Sequence, residues 1–338
     1  MKILLYSPFK YNFLVQTIYL GLIENLSINN VFIPKFNNLN LPKYLKHTPK
    51  SNIIDNDEIL TKIDNFDAII FFNDSFFIKE FYNIVNKKIN STKIFIDDVD
   101  DFFIRRIYYH PEIKYYFKRE LYKYDVGFTA KLEWSIRYFY EIIKRQYGKN
   151  KIKEFSKWAL PVGISNIKKY SDIKPISVTA NETSEITKNK KYNLSFVGTV
   201  NNPERAKWLS KIRALNIKTN IHIRTKWIKK QQYINTIMES KASLSLRGVG
   251  CDTWRYWDIP AYNSMLISQR IPVLIPHDFE DKFSALYFSN LTEFKEKFDK
   301  YVLKTEEWKE ITRNGHKHFL KYHTPKAKIK ENIISLLK

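Results

Sequence analysis

Residues 244–260, LSLRGVGCDTWRYWDIP, place two glycines between arginines in a chain that has only 8 glycines. An apolar run ends at Arg247, a glycine-rich turn follows, and Asp252 or Thr253 can begin a helix. Glycine lets a ligand approach the backbone closely, and the first N–H groups of a helix carry partial positive charge. The stretch therefore predicts a site for a negatively charged group such as a phosphate.

The side chains of this stretch suit the recognition of a nucleoside diphosphate. Arg247 and Arg255 carry planar guanidinium groups that hold phosphate oxygens in pairs. Gly248 and Gly250 would leave room for the phosphates. The Asp258 carboxylate, about one and a half turns into the helix, can accept hydrogen bonds from a ribose diol. The same spacing also fits an ordinary strand–turn–helix connection with arginines on the surface.

Two other predicted strands end in residues of the same kind. Gly198 and Thr199 follow one strand directly, and Arg205 comes in the next helix. Arg224 and Lys226 stand at the end of another strand. The carboxyl ends of parallel strands meet at one edge of a sheet, where the ligands of open α/β sheets bind. We therefore expect these residues to surround the same pocket, with at least one of Arg224 and Lys226 facing it.

Short apolar runs alternate with helical patterns along the chain, and these elements must position the candidate residues. In the first half, runs typical of buried strands occupy residues 2–7, 67–72, 93–96 and 158–165. In the second half, strands are predicted at residues 193–199, 219–226, 242–248 and 270–276. Strands that alternate with helices indicate parallel βαβ units.

Residues 166–191 are polar and rich in Lys, Ser, Thr and Asn, which predicts a linker between two domains. We therefore predict an α/β protein in which two Rossmann-like, doubly wound domains face each other across a cleft. The domains are expected at residues 1–165 and 192–324. A C-terminal helix at 325–338 is expected to pack back on the first domain.

The composition is that of a folded protein. The chain has 338 residues, of which 44% are hydrophobic, so each half can bury a core of its own. A single cysteine, Cys251, excludes a disulfide framework, and no histidine has zinc-ligand spacing with it. We recognise no signal peptide and no membrane-spanning segment, so we expect a soluble, cytoplasmic protein.

The formal net charge is +22, from 57 Lys and Arg against 35 Asp and Glu. A charge of this size is typical of nucleic-acid-binding proteins. The lysines, however, are spread along the chain and not gathered into an arm, so we expect no specific nucleic acid as a partner. Attraction to an anionic membrane surface, at the inner face of the membrane, or to a phosphorylated substrate fits the charge equally well.

The stretch RGVGCDTWRYWDIPAYNSMLISQRIPVLIP resembles the donor-site segment of bacterial GT-B glycosyltransferases of the spore-maturation CgeB-like group, distant relatives of the glycosyl transferases of group 1. The shared pattern is an Arg-Gly-x-Gly turn, an Asp-Thr, an Arg, and then an aromatic residue and an acid that open a helix. Residues 313–323 resemble that group's closing segment, and residues 110–121 look similar to part of its first half. The resemblance is specific over residues 244–323 and looser elsewhere.

The resemblance implies a GT-B glycosyltransferase that holds a sugar nucleotide mainly with its second domain and an acceptor mainly with its first. A sugar would move from a UDP-, GDP- or TDP-linked donor to a hydroxyl group of a glycan, protein or lipid, with no required cofactor or metal. The helix start and the arginines would stabilise the leaving diphosphate. Two positions depart from the family pattern: Asp258 replaces a glutamate, and Asn263 replaces a small residue of a glycine turn.

The stretch IFIDDVDD has two chemical interpretations. Asp98 and Asp100 have the Asp-x-Asp spacing with which GT-A glycosyltransferases hold Mn²⁺ or Mg²⁺, so a metal-dependent enzyme of that type is one alternative. In a two-domain enzyme either carboxylate could be the base that deprotonates the acceptor, with His110 as a weaker candidate. The non-catalytic interpretation is that these residues cap the next helix.

A basic nucleic-acid-binding protein is the remaining alternative function, because the chain has a high positive charge.

Overall fold

The computed structural model describes residues 1–6, 13–35, 50–72, 78–87, 89–98, 110–119, 121, 173–176, 180, 189–200, 202–215, 220–248 and 250–338. The chain divides into two units. The first comprises Met1–Ser177, Leu274–Pro276 and Lys328–Lys338, and the second comprises Val178–Val273 and His277–Ala327. The strand predicted at residues 158–165 lies outside the described residues.

The first unit contains a parallel sheet in the order β3-β2-β1-β4-β5-β6-β7, with the 3-2-1-4-5 arrangement of Rossmann folds within it. Its strands are β1 (Ile3–Tyr6), β2 (Val31–Pro34), β3 (Ile53–Ile54), β4 (Ala68–Phe72), β5 (Thr92–Asp97), β6 (Tyr115–Arg119) and β7 (Ile173–Ile176). The described helices are α1 (Phe13–Leu26), α2 (Asn56–Lys62) and α3 (Ile78–Val85), with 3₁₀ turns at Ile28–Asn30, Lys50–Asn52 and Ile63–Asn65.

The central strands of this sheet are buried on both faces, as their unbroken apolar runs predict. Every side chain of Ala68–Phe72 is buried, and so is Ile3 on the neighbouring strand. The Phe81 ring of α3 makes edge-to-face contacts with Phe71 and Phe95, at centroid distances of 5.2 Å and 5.6 Å. This aromatic core fixes the helix on the sheet and holds the carboxyl end of β5 in place.

The sequence patterns do not predict two strands of the sheet. β6 comes from YYFKR, and β7 lies within the segment that the composition indicates as a linker. Both strands mix apolar and charged residues, so neither gives the signal of a buried strand. β7 contains Pro175, which lacks an N–H group for a sheet hydrogen bond, and its place at the edge of the sheet tolerates that loss.

The second unit has its own parallel sheet, in the order β12-β11-β10-β8-β9. Its strands are β8 (Tyr192–Val197), β9 (Ile221–Arg224), β10 (Ser240–Ser245), β11 (Met265–Gln269) and β12 (Leu286–Phe288). The helices of the second half are α4 (Pro203–Ala214), α5 (Lys230–Met238), α6 (Trp254–Ala261), α7 (Leu291–Phe298), α8 (Glu307–Tyr322) and α9 (Pro325–Asn332). A π-helical turn covers Asp299–Lys304, and a 3₁₀ turn covers Ile334–Leu336.

The strand order of this second sheet locates its ligand edge. Counted within the unit, the order is 2-1-3-4-5, in which the chain reverses direction across the sheet between β8 and β10. Ligands of doubly wound sheets bind at the carboxyl ends of the strands, at such a switch point. The turns that follow β8 and β10 contain Gly198 and Arg247, so the topology brings two separate sequence signals together.

The prediction of a strand at residues 270–276 is wrong. The strand is β11, Met265–Gln269, and it directly follows the end of α6. Pro272 and Pro276 lack the N–H groups that a strand in the middle of a sheet must donate. Asn263 makes the turn before β11 with a positive φ of 58°. Asparagine tolerates this left-handed conformation better than other non-glycine residues, which explains how it can replace a glycine here.

Candidate functional site

Arg205 holds the two strand ends at the switch point together. Its buried guanidinium donates to the carbonyl oxygens of Thr199, Leu246 and Arg247, at distances of 2.8–2.9 Å. Asn202, which caps α4 by accepting from the Arg205 N–H at 2.7 Å, donates to the Gly248 carbonyl at 2.5 Å. The sequence predicts Arg205 as a donor-binding residue. The structure shows that its hydrogen bonds shape the turns themselves.

The Arg-Gly-Val-Gly turn is closed by its own backbone. The Gly248 N–H donates to the Gly250 carbonyl at 2.9 Å. Arg247 is 8% exposed, its N–H donates to the Gln269 side chain at 3.1 Å, and its guanidinium lies 3.6 Å from a carboxylate oxygen of Glu204. Nothing in the sequence pattern marks Glu204 or Gln269, because both meet this turn only through the tertiary fold.

Helix α6 begins at the carboxyl end of the sheet without a side-chain cap. Thr253 is its N-cap residue but makes no capping hydrogen bond. The Thr253 hydroxyl instead lies 3.2 Å from the hydroxyl of Ser245 on β10, and Asp252 is buried beside it. The Thr253 hydroxyl therefore does not occupy the first N–H groups of the helix, and the start of a helix is a favourable position for an anionic ligand.

Arg255, in the first turn of α6, reaches back to the end of β8. Its guanidinium donates to the Val197 carbonyl at 3.2 Å and lies 4.9 Å from the centre of the Phe196 ring. The Arg205 guanidinium lies 5.9 Å from the same ring. A Cβ atom at Gly198 would overlap the Arg255 guanidinium. Gly198 thus makes room for an arginine, in addition to any space that it leaves for a ligand.

Three arginines close together give this edge of the sheet a strong positive potential. Burial, followed by the charges of Arg255 and Arg247, lowers the pKa of Arg205 to about 9. Burial also lowers the pKa of Arg255, and the neighbouring Tyr233 and Asp258 oppose that effect. A bound anion would relieve the repulsion among the guanidinium groups. The electrostatics of the site therefore favour an anionic ligand.

The carboxylate of Asp258 is buried and accepts a hydrogen bond from the Tyr233 hydroxyl of α5 at 2.8 Å. Burial first, and then the charge of Asp258, raise the pKa of Tyr233 well above its ordinary value, so the phenol stays protonated and remains a donor. Sequence reasoning missed Tyr233 because nothing local marks it. Its helix simply brings it beside Asp258.

Arg224 and Lys226 lie at the end of β9, as predicted, and both side chains are exposed. The Arg224 carbonyl accepts a hydrogen bond from the Gly198 N–H at 3.0 Å, so the two strand ends are joined through the backbone. Their side chains are less constrained than those of Arg205 and Arg255.

In the first unit, the acids at the end of β5 meet the basic residues of β6. Asp98 accepts a hydrogen bond from Arg119 at 3.3 Å, and Asp100 lies outside the described residues. The preceding Asp97 is fully buried with Lys118, their charged atoms 3.4 Å apart. Sequence reasoning missed this buried ion pair, since the strand β6 that supplies the lysine is not predicted.

The histidines that could act as a base or as metal ligands make hydrogen bonds within the protein. The His110 ring accepts a hydrogen bond from the Glu112 N–H at 3.2 Å. In the closing segment, His318 and His323 both contact the His277 carbonyl at 2.7 Å. Within the described ranges no three His, Cys, Asp or Glu side chains are grouped to hold a metal ion. In the same part of the chain no helix is long and apolar enough to cross a membrane.

Comparison with protein families gives one match. Residues 183–333 match the family described as glycosyl transferase-like, a span that includes the whole second sheet and the strand ends described above. No curated protein sequence matches the chain.

Among known structures, an α-glucosyltransferase in complex with UDP and a DNA 13-mer is similar over 100% of this chain and 99% of its own, with a TM-score of 0.54 and 9% identity. A glycosyltransferase from Rickettsia africae has a TM-score of 0.54 and 12% identity, over 100% and 97% of the two chains. T4 phage BGT, in complex with its UDP-glucose substrate, has a TM-score of 0.50 and 13% identity, over 100% of both chains.

Similarity at this level of identity shows the fold. The chain has the GT-B fold, as the resemblance implies, and the alternative of a GT-A architecture is wrong because each unit has its own parallel sheet. The match of residues 183–333 to the glycosyl transferase-like family indicates that the protein is an enzyme of the glycosyltransferase type.

Proposed function

We propose that this protein transfers a sugar from a UDP-sugar to a hydroxyl group of an acceptor. The observation that carries the proposal is the meeting of Arg205, Arg247 and Arg255 at the β8–β10 switch point, beside a helix start that lacks a side-chain cap. A nucleoside diphosphate supplies the negative charge that this arrangement favours. Similar folds that hold UDP and UDP-glucose support uridine as the base.

The charged side chains at the switch point have separate roles in this proposal. The N–H groups of α6 and the guanidinium groups of Arg247 and Arg255 neutralise the diphosphate as it leaves, so no metal is obligatory. Arg205 keeps the two strand ends at the right separation. Asp258, oriented by the Tyr233 hydroxyl, accepts hydrogen bonds from the ribose diol.

The acceptor is assigned to the domain at residues 1–165 and the donor to the domain at 192–324. Asp98 or Asp100 is the base that takes the proton from the acceptor hydroxyl, and Arg119 orients Asp98. The acceptor is a glycan, a protein or a lipid-linked sugar. Within the glycosyltransferases, the RGVGCDTWRYWD pattern groups the protein with the spore-maturation CgeB-like enzymes.

The proposal is tested by measuring the melting temperature of the full chain with UDP, GDP, TDP and CMP, each with and without Mn²⁺. A ligand that binds the native state raises the melting temperature by mass action. We expect UDP to raise it most, and to the same extent with and without Mn²⁺. Stabilisation that requires Mn²⁺ would contradict metal independence, and no stabilisation by any nucleotide would contradict the donor site.

The variant Arg247→Ala tests the site assignment itself. The Arg247 guanidinium pairs with Glu204, which is partly exposed and can be solvated by water once the arginine is gone, so we expect the fold to survive the substitution. The stabilisation by UDP should disappear. Arg270→Ala is the matched control, because Arg270 is an exposed arginine of the same unit whose ion pairs, to Asp281 and Glu293, involve none of the proposed donor-site residues. Equal responses of both variants to UDP would refute the role of Arg247.

A further inference from the structure

One segment of the second unit contains basic residues without any acidic residue among them. Residues 205–238 contain nine Lys and Arg and no Asp or Glu, and the next acid is Glu239. This segment forms α4, β9 and α5, and β9 is the edge strand of the sheet. α4 packs against β9, and Lys207 and Lys211 of α4 are exposed. The +22 charge of the chain is therefore uneven in space.

The loop between β9 and α5 places a large aromatic side chain within this charge. Trp227 is 79% exposed, the highest value among the exposed large hydrophobic residues of the described chain. Arg224, Lys226 and Lys229 surround it in sequence, and all three are exposed. None of these three basic residues forms an ion pair with a carboxylate of the described residues. Moving the apolar surface of an exposed indole out of water and into an apolar environment is favourable, so a partner that covers Trp227 would gain binding free energy.

We propose that this basic surface, made of Lys207, Lys211, Arg224, Lys226, Trp227 and Lys229, binds an anionic lipid membrane. The indole has an apolar body and a polar N–H, which suits the headgroup level of a bilayer. Lysines beside it are attracted by the negative surface potential of anionic lipids and extend their charge toward the headgroups. The inference concerns a surface of the second unit and does not depend on the identity of the donor.

The composition of the surface favours a membrane over a nucleic acid. Single-stranded nucleic acids are bound by several aromatic rings on which successive bases stack. The other aromatic side chains of this segment are engaged inside the unit: Trp208 packs on Phe288 at 5.1 Å, and Tyr233 bonds to Asp258. Most of the exposed basic residues are lysines, which are compact point charges without the paired donors that base recognition uses.

The test is co-sedimentation of the full chain with vesicles. Vesicles of equal parts phosphatidylglycerol and phosphatidylcholine are compared with vesicles of phosphatidylcholine alone. We expect binding only to the anionic vesicles, weakened by salt, with a shift of tryptophan emission to shorter wavelength. The variant Trp227→Ala should lose the shift, and Lys207→Glu with Lys229→Glu should weaken binding about tenfold or more.

Matched controls keep the result interpretable. Phe283→Ala removes another exposed apolar side chain, and Lys295→Glu reverses another exposed charge in the same unit, so both should bind vesicles as the unaltered protein does. Unchanged melting temperatures show that the variants are folded. Equal vesicle binding by test and control variants, or no vesicle binding at all, overturns the proposal. So does a DNA oligonucleotide that binds more tightly than the vesicles and loses affinity in Trp227→Ala.

Discussion

At Gly198 the backbone of the second unit passes so close to the Arg255 guanidinium that a Cβ atom would overlap it. The sequence predicts this glycine at a strand end beside the ligand pocket, whereas the structure shows that a side chain of the protein itself approaches it. Arg255 is held there by the Val197 carbonyl and the Phe196 ring. The absence of a side chain at residue 198 thus allows the Arg255 guanidinium to occupy its position in the site.

A mutant cycle tests this relation. Gly198→Ala should lower the free energy of unfolding by about 1–3 kcal/mol, since the guanidinium must move out of its position, and it should weaken UDP binding. In the background of Arg255→Ala the same change should cost much less stability, because the overlapping group is gone. Denaturant unfolding of the four proteins measures the coupling. Equal costs in both backgrounds would show that the two residues do not interact.

At the scale of one element, helix α6 supplies much of the positive charge of the proposed site, from its N-terminal end and from Arg255. Its first turn follows β10, its N-cap Thr253 makes no capping hydrogen bond, and Arg255 and Asp258 lie on its first two turns. A helix without a cap is less stable than the same helix with one. In the proposed function, an anionic ligand bound at the helix start offsets this cost.

Two substitutions at Thr253 separate helix stability from ligand binding. Aspartate and asparagine are both strong N-cap residues, so Thr253→Asp and Thr253→Asn should each stabilise the helix by a few tenths to about 1 kcal/mol. The aspartate also adds a negative charge where the diphosphate is proposed to lie, so only Thr253→Asp should strongly weaken UDP binding. Calorimetric titration with UDP measures this difference. Equal UDP affinities in the two variants would place the diphosphate elsewhere.

At the scale of the whole molecule, the chain forms two units that each have a parallel sheet and a core of their own. The family match covers the second unit, and every donor-site residue proposed above belongs to it. We propose that the nucleotide is bound at the sheet of the second unit and the acceptor at the sheet of the first.

Hydrogen–deuterium exchange of the full chain tests this assignment. UDP should slow exchange at the two strand ends of the second unit, residues 196–206 and 246–256, because a bound ligand suppresses local opening. Exchange in strands β4 and β5 of the first unit, residues 68–72 and 92–97, should not change. Protection confined to the first unit would contradict the proposed donor domain.

Much of the fold could be predicted from the sequence, because the signals are local. Apolar runs predicted β1, β4 and β5, since a strand buried on both faces favours apolar side chains at successive positions. The two strands β6 and β7 could not be predicted, because both mix apolar and charged residues, and the charged residues of β6 are balanced by acids at the end of the neighbouring strand. One such residue is Lys118, whose charge is balanced by the buried Asp97.

By itself, the sequence determined the glycine turn, the helix start and the arginines around them, because turn chemistry and helix capping depend on neighbouring residues. Only the tertiary structure decided what each side chain does. It places β8 beside β10, so that the Arg205 guanidinium donates hydrogen bonds to carbonyl groups more than forty positions further along the chain. It also brings the Tyr233 hydroxyl within hydrogen-bonding distance of Asp258. These contacts join residues that are distant in sequence, and a local pattern carries no information about which distant residue will meet it.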